Sequence, residues 1–91
     1  MPQSAYEKRL VRAKRKARSD LENDGWRVIV SDNNPVCLAA FDPQTGRYRL
    51  VRVCLDEVRR EDRQAVACLK PLPVEIWIRK PRSEAFERRK I

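Results

Sequence analysis

The sequence predicts one small α/β domain: a helix, three strands, a second helix, a fourth strand and a short edge strand. Three observations predict it. A capping signal opens a stretch with apolar residues at helical spacing and a glycine stop. Three β-rich runs separated by turn-forming clusters come next. Helical spacing then returns, is broken by two prolines, and gives way to a last β-rich run. The 91 residues suffice for a single domain spanning 1–91. A chain this short buries only about 60–65% of the surface its unfolded form exposes, so the core must be small.

In Ser4-Ala5-Tyr6-Glu7 each side chain can satisfy the other residue's free backbone N–H, the capping-box pattern. Tyr6, Leu10, Ala13, Ala17 and Leu21 then share one helix face, and Gly25 ends the run. The remaining faces carry Lys8, Arg9, Arg12, Lys14, Arg15, Lys16 and Arg18, so the helix is amphipathic with a basic exposed side. Trp26 to Val30 reads as a strand, ended by the turn Ser31-Asp32-Asn33-Asn34-Pro35. Val36 to Phe41 is almost wholly apolar, which predicts a central strand covered on both faces. Asp42 to Gly46 closes a hairpin. In the return strand, Arg47 to Leu55, the residues Arg49, Val51, Val53 and Leu55 share one face, and Tyr48, Leu50, Arg52 and Cys54 the other. The second helix turns Ala65, Val66 and Leu69 inward before Pro71 and Pro73, with Cys68 buried on it. In the fourth strand, Val74 to Ile78, Glu75 and Trp77 share a face, and both tryptophans read as packing residues. The basic tail from Ser83 reads as an edge strand.

Lysine and arginine number 21 against 13 acids, a formal charge of +8. Such an excess attracts polyanions and speeds their encounter, which points to nucleic acid. Membrane-surface binding is disfavoured because the basic helix lacks a bulky apolar face at its start, and no run approaches the roughly 18 apolar residues a span needs. Nothing at the N-terminus reads as a signal peptide, and Cys37, Cys54 and Cys68 form no C-x-x-C pair. The expectation is a soluble cytoplasmic protein with reduced thiols and no metal or other cofactor. With no histidine in the chain, Ser-His and Cys-His catalysis are excluded.

The element order, with its hairpin, resembles the PD-(D/E)XK nuclease superfamily of restriction-endonuclease-like and small Holliday-junction-resolvase-like proteins. Asp24-Gly25-Trp26-Arg27-Val28 is similar to the Gly-aromatic strand start of its small members. Pro35-Val36-Cys37-Leu38-Ala39-Ala40 stands where they have P-x-D-L-x-A, and Leu50-Val51-Arg52-Val53-Cys54 where they have L-V-E-V-K. Leu72 to Ile78 resembles their closing strand. The resemblance implies an αβββαβ core, a mixed central sheet flanked by helices. It also implies phosphodiester hydrolysis by a divalent cation held by the Asp and Glu, with the Lys orienting water. Those positions are here Cys37, Arg52 and Cys54. A thiol is a poor ligand for Mg²⁺ and arginine is none, so a degenerate, non-hydrolytic site is expected.

Asp42 and Glu57, with Arg59 two residues on, repeat the spacing further along the chain as migrated carboxylates, and Glu7 matches the helix-borne acid. Mg²⁺ would be the cofactor if they met, although both Asp42 and Glu57 lie beyond their strand ends. Cys37 and Cys54 are expected near each other across adjacent strands. The reading is a nuclease-fold protein binding double-stranded or branched DNA through the basic helix and an Arg-rich surface, with Arg52 inside the former site. The alternatives are a metal-dependent endonuclease or resolvase with a rearranged site, and a protein-interaction or assembly subunit. A strand edge would permit a homodimer.

Overall fold

The computed structural model describes residues 4–30, 36–83 and 85–90, which form a five-stranded mixed sheet and two helices. In chain order these are α1 (Ala5–Asn23), β1 (Arg27–Val30), β2 (Leu38–Phe41), β3 (Tyr48–Leu55), α2 (Arg60–Ala67), β4 (Val74–Arg79) and β5 (Glu87–Lys90). The expected turn over 31–35 lies outside the described residues.

Local chemistry explains both ends of α1. Ser4 Oγ accepts a hydrogen bond from the Glu7 backbone N–H at 3.1 Å. At the other end Trp26 N–H donates to Leu21 O and Gly25 N–H to Glu22 O, both at 3.0 Å. This double closure needs a left-handed residue, and Gly25 supplies it at φ 91°. The helix buries Ala13, Ala17 and Leu21. Tyr6, expected on that face, is 39% exposed because it lies in the first turn, beyond the sheet's cover.

The strands lie in the order β1-β2-β3-β4-β5. The first three are antiparallel to one another, and β5 is antiparallel to β4. β3 and β4 run parallel, with Leu50 opposite Val74 and Leu55 opposite Arg79. A parallel pair needs a crossover, and α2 forms it. The alternation read for β3 sorts its side chains as expected. Val51, Val53 and Leu55 join α1, Leu38, Ala40 and Trp77 in one core cluster. Leu50 and Cys54 join Val66, Ile76 and Ile78 in the other, under α2.

Three expectations are corrected. β2 is not the strand covered on both faces: Phe41 is 46% exposed and Ala39 half-buried. That place belongs to β4, buried from Val74 to Ile78, because Trp77 joins the core cluster of α1 while Val74, Ile76 and Ile78 join that of α2, and strands flank both of its edges. Cys68 is exposed rather than buried, since α2 ends at Ala67 and Cys68 caps it. Finally, β1 begins at Arg27 and β3 at Tyr48, one residue later than read, and β2 at Leu38, two later. The tail does form an edge strand, β5. Among the described residues no helix is long and apolar enough to cross a membrane.

Candidate nucleic-acid interface

All seven cations lie in α1, but Lys14 is not on its outer side as expected: it is half-buried and turned toward the sheet, because it falls next to the buried Leu21 face. Helical geometry divides them. Lys8, Arg12 and Arg15, at i, i+4 and i+7, run as a stripe opposite the buried Ala13, Ala17 and Leu21. Arg9, Lys16 and Arg18 lie on the flanks and are engaged: Arg9 with Asp56 at 3.0 Å, Lys16 with Asp20 at 3.1 Å, Arg18 with Glu22 at 3.0 Å. Lys8, Arg12, Lys14 and Arg15 have no ion pair among the described residues. A straight row of uncompensated cations on a rigid rod is a surface that a polyphosphate backbone can follow.

Cys37, Arg52 and Cys54 come together, lining one cavity of about 270 Å³ with Lys14 and Asp62. Two strands and two helices supply these residues. Cys37 stands just before β2, its backbone N–H donating to Val51 O at 3.0 Å. Arg52 and Cys54 share a face of β3, Lys14 comes from α1, and Asp62 from the first turn of α2. Asp62 was not anticipated. Its carboxylate accepts from Arg52 Nε at 2.7 Å and from the Arg59 backbone N–H at 2.9 Å, so one side chain both caps α2 and neutralises the cation beneath it. Nothing in local sequence separates this acid from the neighbouring Glu61, which is exposed.

These donors do not fit a hard divalent cation. Two are thiols, one is a guanidinium, and the single carboxylate is already bound to that guanidinium. Among the described residues no group of three or more His, Cys, Asp or Glu side chains is placed to hold a metal. Asp42 and Glu57 do not meet. They lie beyond opposite ends of the eight-residue β3, about 25 Å of strand apart. Asp42 instead organises the hairpin, accepting from Gln44 N–H at 2.9 Å and Thr45 Oγ1–H at 3.0 Å. The Gln44 N–H first, then the Thr45 hydroxyl, hold its carboxyl below the usual range. Glu57 is exposed, and Glu7 serves the helix start through its backbone N–H.

Both cavity cysteines are free thiols. Burial, reinforced by the negative charge of Asp62, pushes the Cys54 thiol up to about 12. At pH 8 its thiolate fraction is then about 10³-fold below that of an ordinary thiol of pKa near 8.5. Alkylation of the folded protein with iodoacetamide at pH 8 should therefore modify exposed Cys68 rapidly and Cys54 only on unfolding. Peptide mass spectrometry over time checks this, and rapid Cys54 labelling would contradict it.

Also missed in the sequence is a charged cluster at the other end of the sheet. Arg49 Nε donates to Glu75 Oε2 at 2.6 Å, and Arg49 Nη2 donates to Glu75 Oε1. The Arg49 guanidinium lies 5.2 Å from the ring centroid of Trp26 and 5.6 Å from that of Trp77. Trp77 Nε1–H donates to the same carboxylate at 3.4 Å. With Trp77 fully buried, it is a core residue and offers no ring face to a base. The alternation of β3 and β4 had placed Arg49, Glu75 and Trp77 on their strand faces, but the register that joins them is a tertiary fact.

Comparison of the chain with protein-family models finds no match, and comparisons with curated proteins and with solved structures find none either.

Proposed function

We propose that this protein binds double-stranded or branched DNA through the exposed face of α1. In this reading its fold is restriction-endonuclease-like, and Cys37, Arg52 and Cys54 occupy the former hydrolytic positions. The observation that carries it is the exposed stripe of Lys8, Arg12 and Arg15, which has no ion pair among the described residues. The order of helix, β2–β3 hairpin and parallel β3–α2–β4 crossover is what the resemblance implies, and it supports the fold assignment. So does the convergence of the three motif positions on one cavity. Arg52 is the weakest of the proposed DNA contacts, since Asp62 offsets its charge and both side chains are mostly buried.

The test is retention of labelled duplex, branched and single-stranded DNA at 50 and 200 mM salt, with and without Mn²⁺, scoring cleavage in the same tubes. About five phosphate contacts would lower affinity about 500-fold across that salt range. Salt-sensitive retention of intact DNA is the expected result. Mn²⁺-dependent cleavage would restore the rearranged-nuclease alternative and overturn the degenerate-site reading. A second reading, an assembly subunit, draws on β1, an edge strand with Ile29 70% exposed. No retention of any DNA at 50 mM salt would favour it.

A further inference from the structure

A second concentration of positive charge lies at the carboxyl ends of the two parallel strands. Leu55 ends β3 opposite Arg79, which ends β4, and the Asp56 backbone N–H donates to Arg79 O at 2.9 Å. Above this junction a groove of about 430 Å³ is lined by Arg9 and Arg12 from α1 and by Arg79, Lys80 and Arg82 from the end of β4 and the turn beyond it. Among the described residues two acids answer these five cations. Asp56 pairs with Arg9 at 3.0 Å, and Glu87 pairs with Lys80 at 2.9 Å. Arg12, Arg79 and Arg82 have no ion pair among the described residues.

Two further observations single this groove out. Arg79 Nη1 is buried and has no hydrogen-bond partner among the described residues, although its guanidinium is held 5.7 Å from the ring centroid of Phe86. A buried, unpaired guanidinium N–H is costly, and such groups in native proteins call for a ligand or a function. Arg82 lines the groove and Asp56 is bonded to its Arg9 and to the Arg79 carbonyl; these two are the non-glycine residues with positive φ among those described, at 61° and 66°. Side-chain-bearing residues adopt this conformation where the surrounding structure imposes it, and such positions concentrate at binding sites. The carboxyl ends of adjacent parallel strands are also where open α/β sheets place ligands.

We propose that this groove is a phosphoryl-group site, with Arg79 as the central donor and Arg12 and Arg82 on either side. Resting on the DNA-binding reading, it adds a defined anchoring point, because Arg12 belongs both to the groove and to the outer stripe of α1. Arg79 lines the groove with its guanidinium held against Phe86, so a phosphate entering here meets a donor of restricted geometry once its covered Nη1 turns outward. The residues at its centre lie outside the basic helix.

The test uses the full chain as wild type, Arg79→Gln, Arg82→Gln and the charge-matched Arg15→Gln, which alters the stripe but not the groove. One arm measures thermal unfolding with inorganic pyrophosphate; the other measures duplex affinity at 50 mM salt. At ten times its Kd, pyrophosphate should raise the wild-type Tm by about 6–11 °C. Arg15→Gln should keep that shift, while Arg79→Gln and Arg82→Gln should lose at least half of it. Duplex affinity should fall about tenfold in Arg79→Gln, the loss of one charge-assisted contact. Equal loss for duplexes with and without 5′-phosphates assigns the site to an internal phosphodiester, whereas loss confined to 5′-phosphorylated duplex assigns it to a terminal phosphate.

Wild-type pyrophosphate shifts in both groove variants would overturn the proposal, as would duplex binding that Arg15→Gln weakens and Arg79→Gln does not. That second pattern leaves the DNA-binding reading intact. Conversely, an Arg79-dependent pyrophosphate effect with no duplex binding keeps the groove and removes that reading. Arg82→Gln, exposed in the turn, preserves the test if Arg79→Gln fails to fold.

Discussion

Replacing Glu75 with leucine should cost about 3–5 kcal/mol of unfolding free energy at pH 7, because it leaves a buried cation without its counter-charge. A domain of this length has about 5–14 kcal/mol in total, so the variant should be close to unfolding at 37 °C. The Arg49 side chain is 18% exposed and that of Glu75 10%, so solvent screens the pair little. Arginine cannot shed its proton to escape burial. The reverse variant, Arg49→Met, should behave differently, because an orphaned glutamate can take up a proton.

The pH dependence separates the two cases. In the wild type, burial acts to raise the Glu75 carboxyl, but the hydrogen bonds and charge of Arg49 outweigh it, and the net position is below the ordinary 4.5. A depressed value contributes stability above pH 4.5 that is lost as pH falls through the folded value. In Arg49→Met the balance reverses and the folded value rises above 4.5. Protonation then caps the electrostatic cost at about 3.4 kcal/mol at pH 7 and about 0.7 kcal/mol at pH 5. Urea unfolding at the two pH values should show Arg49→Met approaching the wild type in acid and Glu75→Leu failing to do so. Parallel behaviour of the two variants would mean that the pair is not electrostatically coupled.

Asp62→Leu should be comparably damaging, by about 3–5 kcal/mol, with about 1 kcal/mol of this from the lost cap on the Arg59 backbone N–H. Its partner Arg52 has a side chain 14% exposed and retains its charge. The double variant Arg52→Met/Asp62→Leu should be more stable than Asp62→Leu alone, since a well-packed apolar pair avoids both desolvation penalties. Urea midpoints for the two single variants and the double form a closed cycle that measures the coupling. An additive cycle would show that Arg52 does not need Asp62.

The elements that could be read from the sequence are those whose signals are local. Ser4 and Gly25 bracket α1 because capping needs only neighbouring atoms, and the faces of β3 follow from its period of two. The same period brought Arg52 and Cys54 to one face, and strand order brought Cys37 beside them. What escaped was set by register and layering. An apolar run such as Val36 to Phe41 reads alike in a half-covered strand and a fully covered one; only the sheet order assigns the covered place to β4. Asp62, Glu75 and Arg79 sit in ordinary charged stretches. They became distinctive only when the fold set Arg52 against the first, Arg49 against the second, and no partner among the described residues against Arg79 Nη1.

The parallel pairing of β3 with β4 also costs more to close than its hairpin neighbour. The β2–β3 hairpin joins Phe41 to Tyr48, seven residues apart, whereas the central pair joins Leu50 to Val74, 24 residues apart. Closing the longer loop costs about 1.1 kcal/mol more in chain entropy. The hairpin can therefore zip early from its Asp42–Gly46 turn, while β4 must wait for α2 to cross over. By this loop-closure cost alone the hairpin is expected to form before β4 docks, and the buried Trp77 on β4, alongside Trp26, makes that docking a step fluorescence can follow.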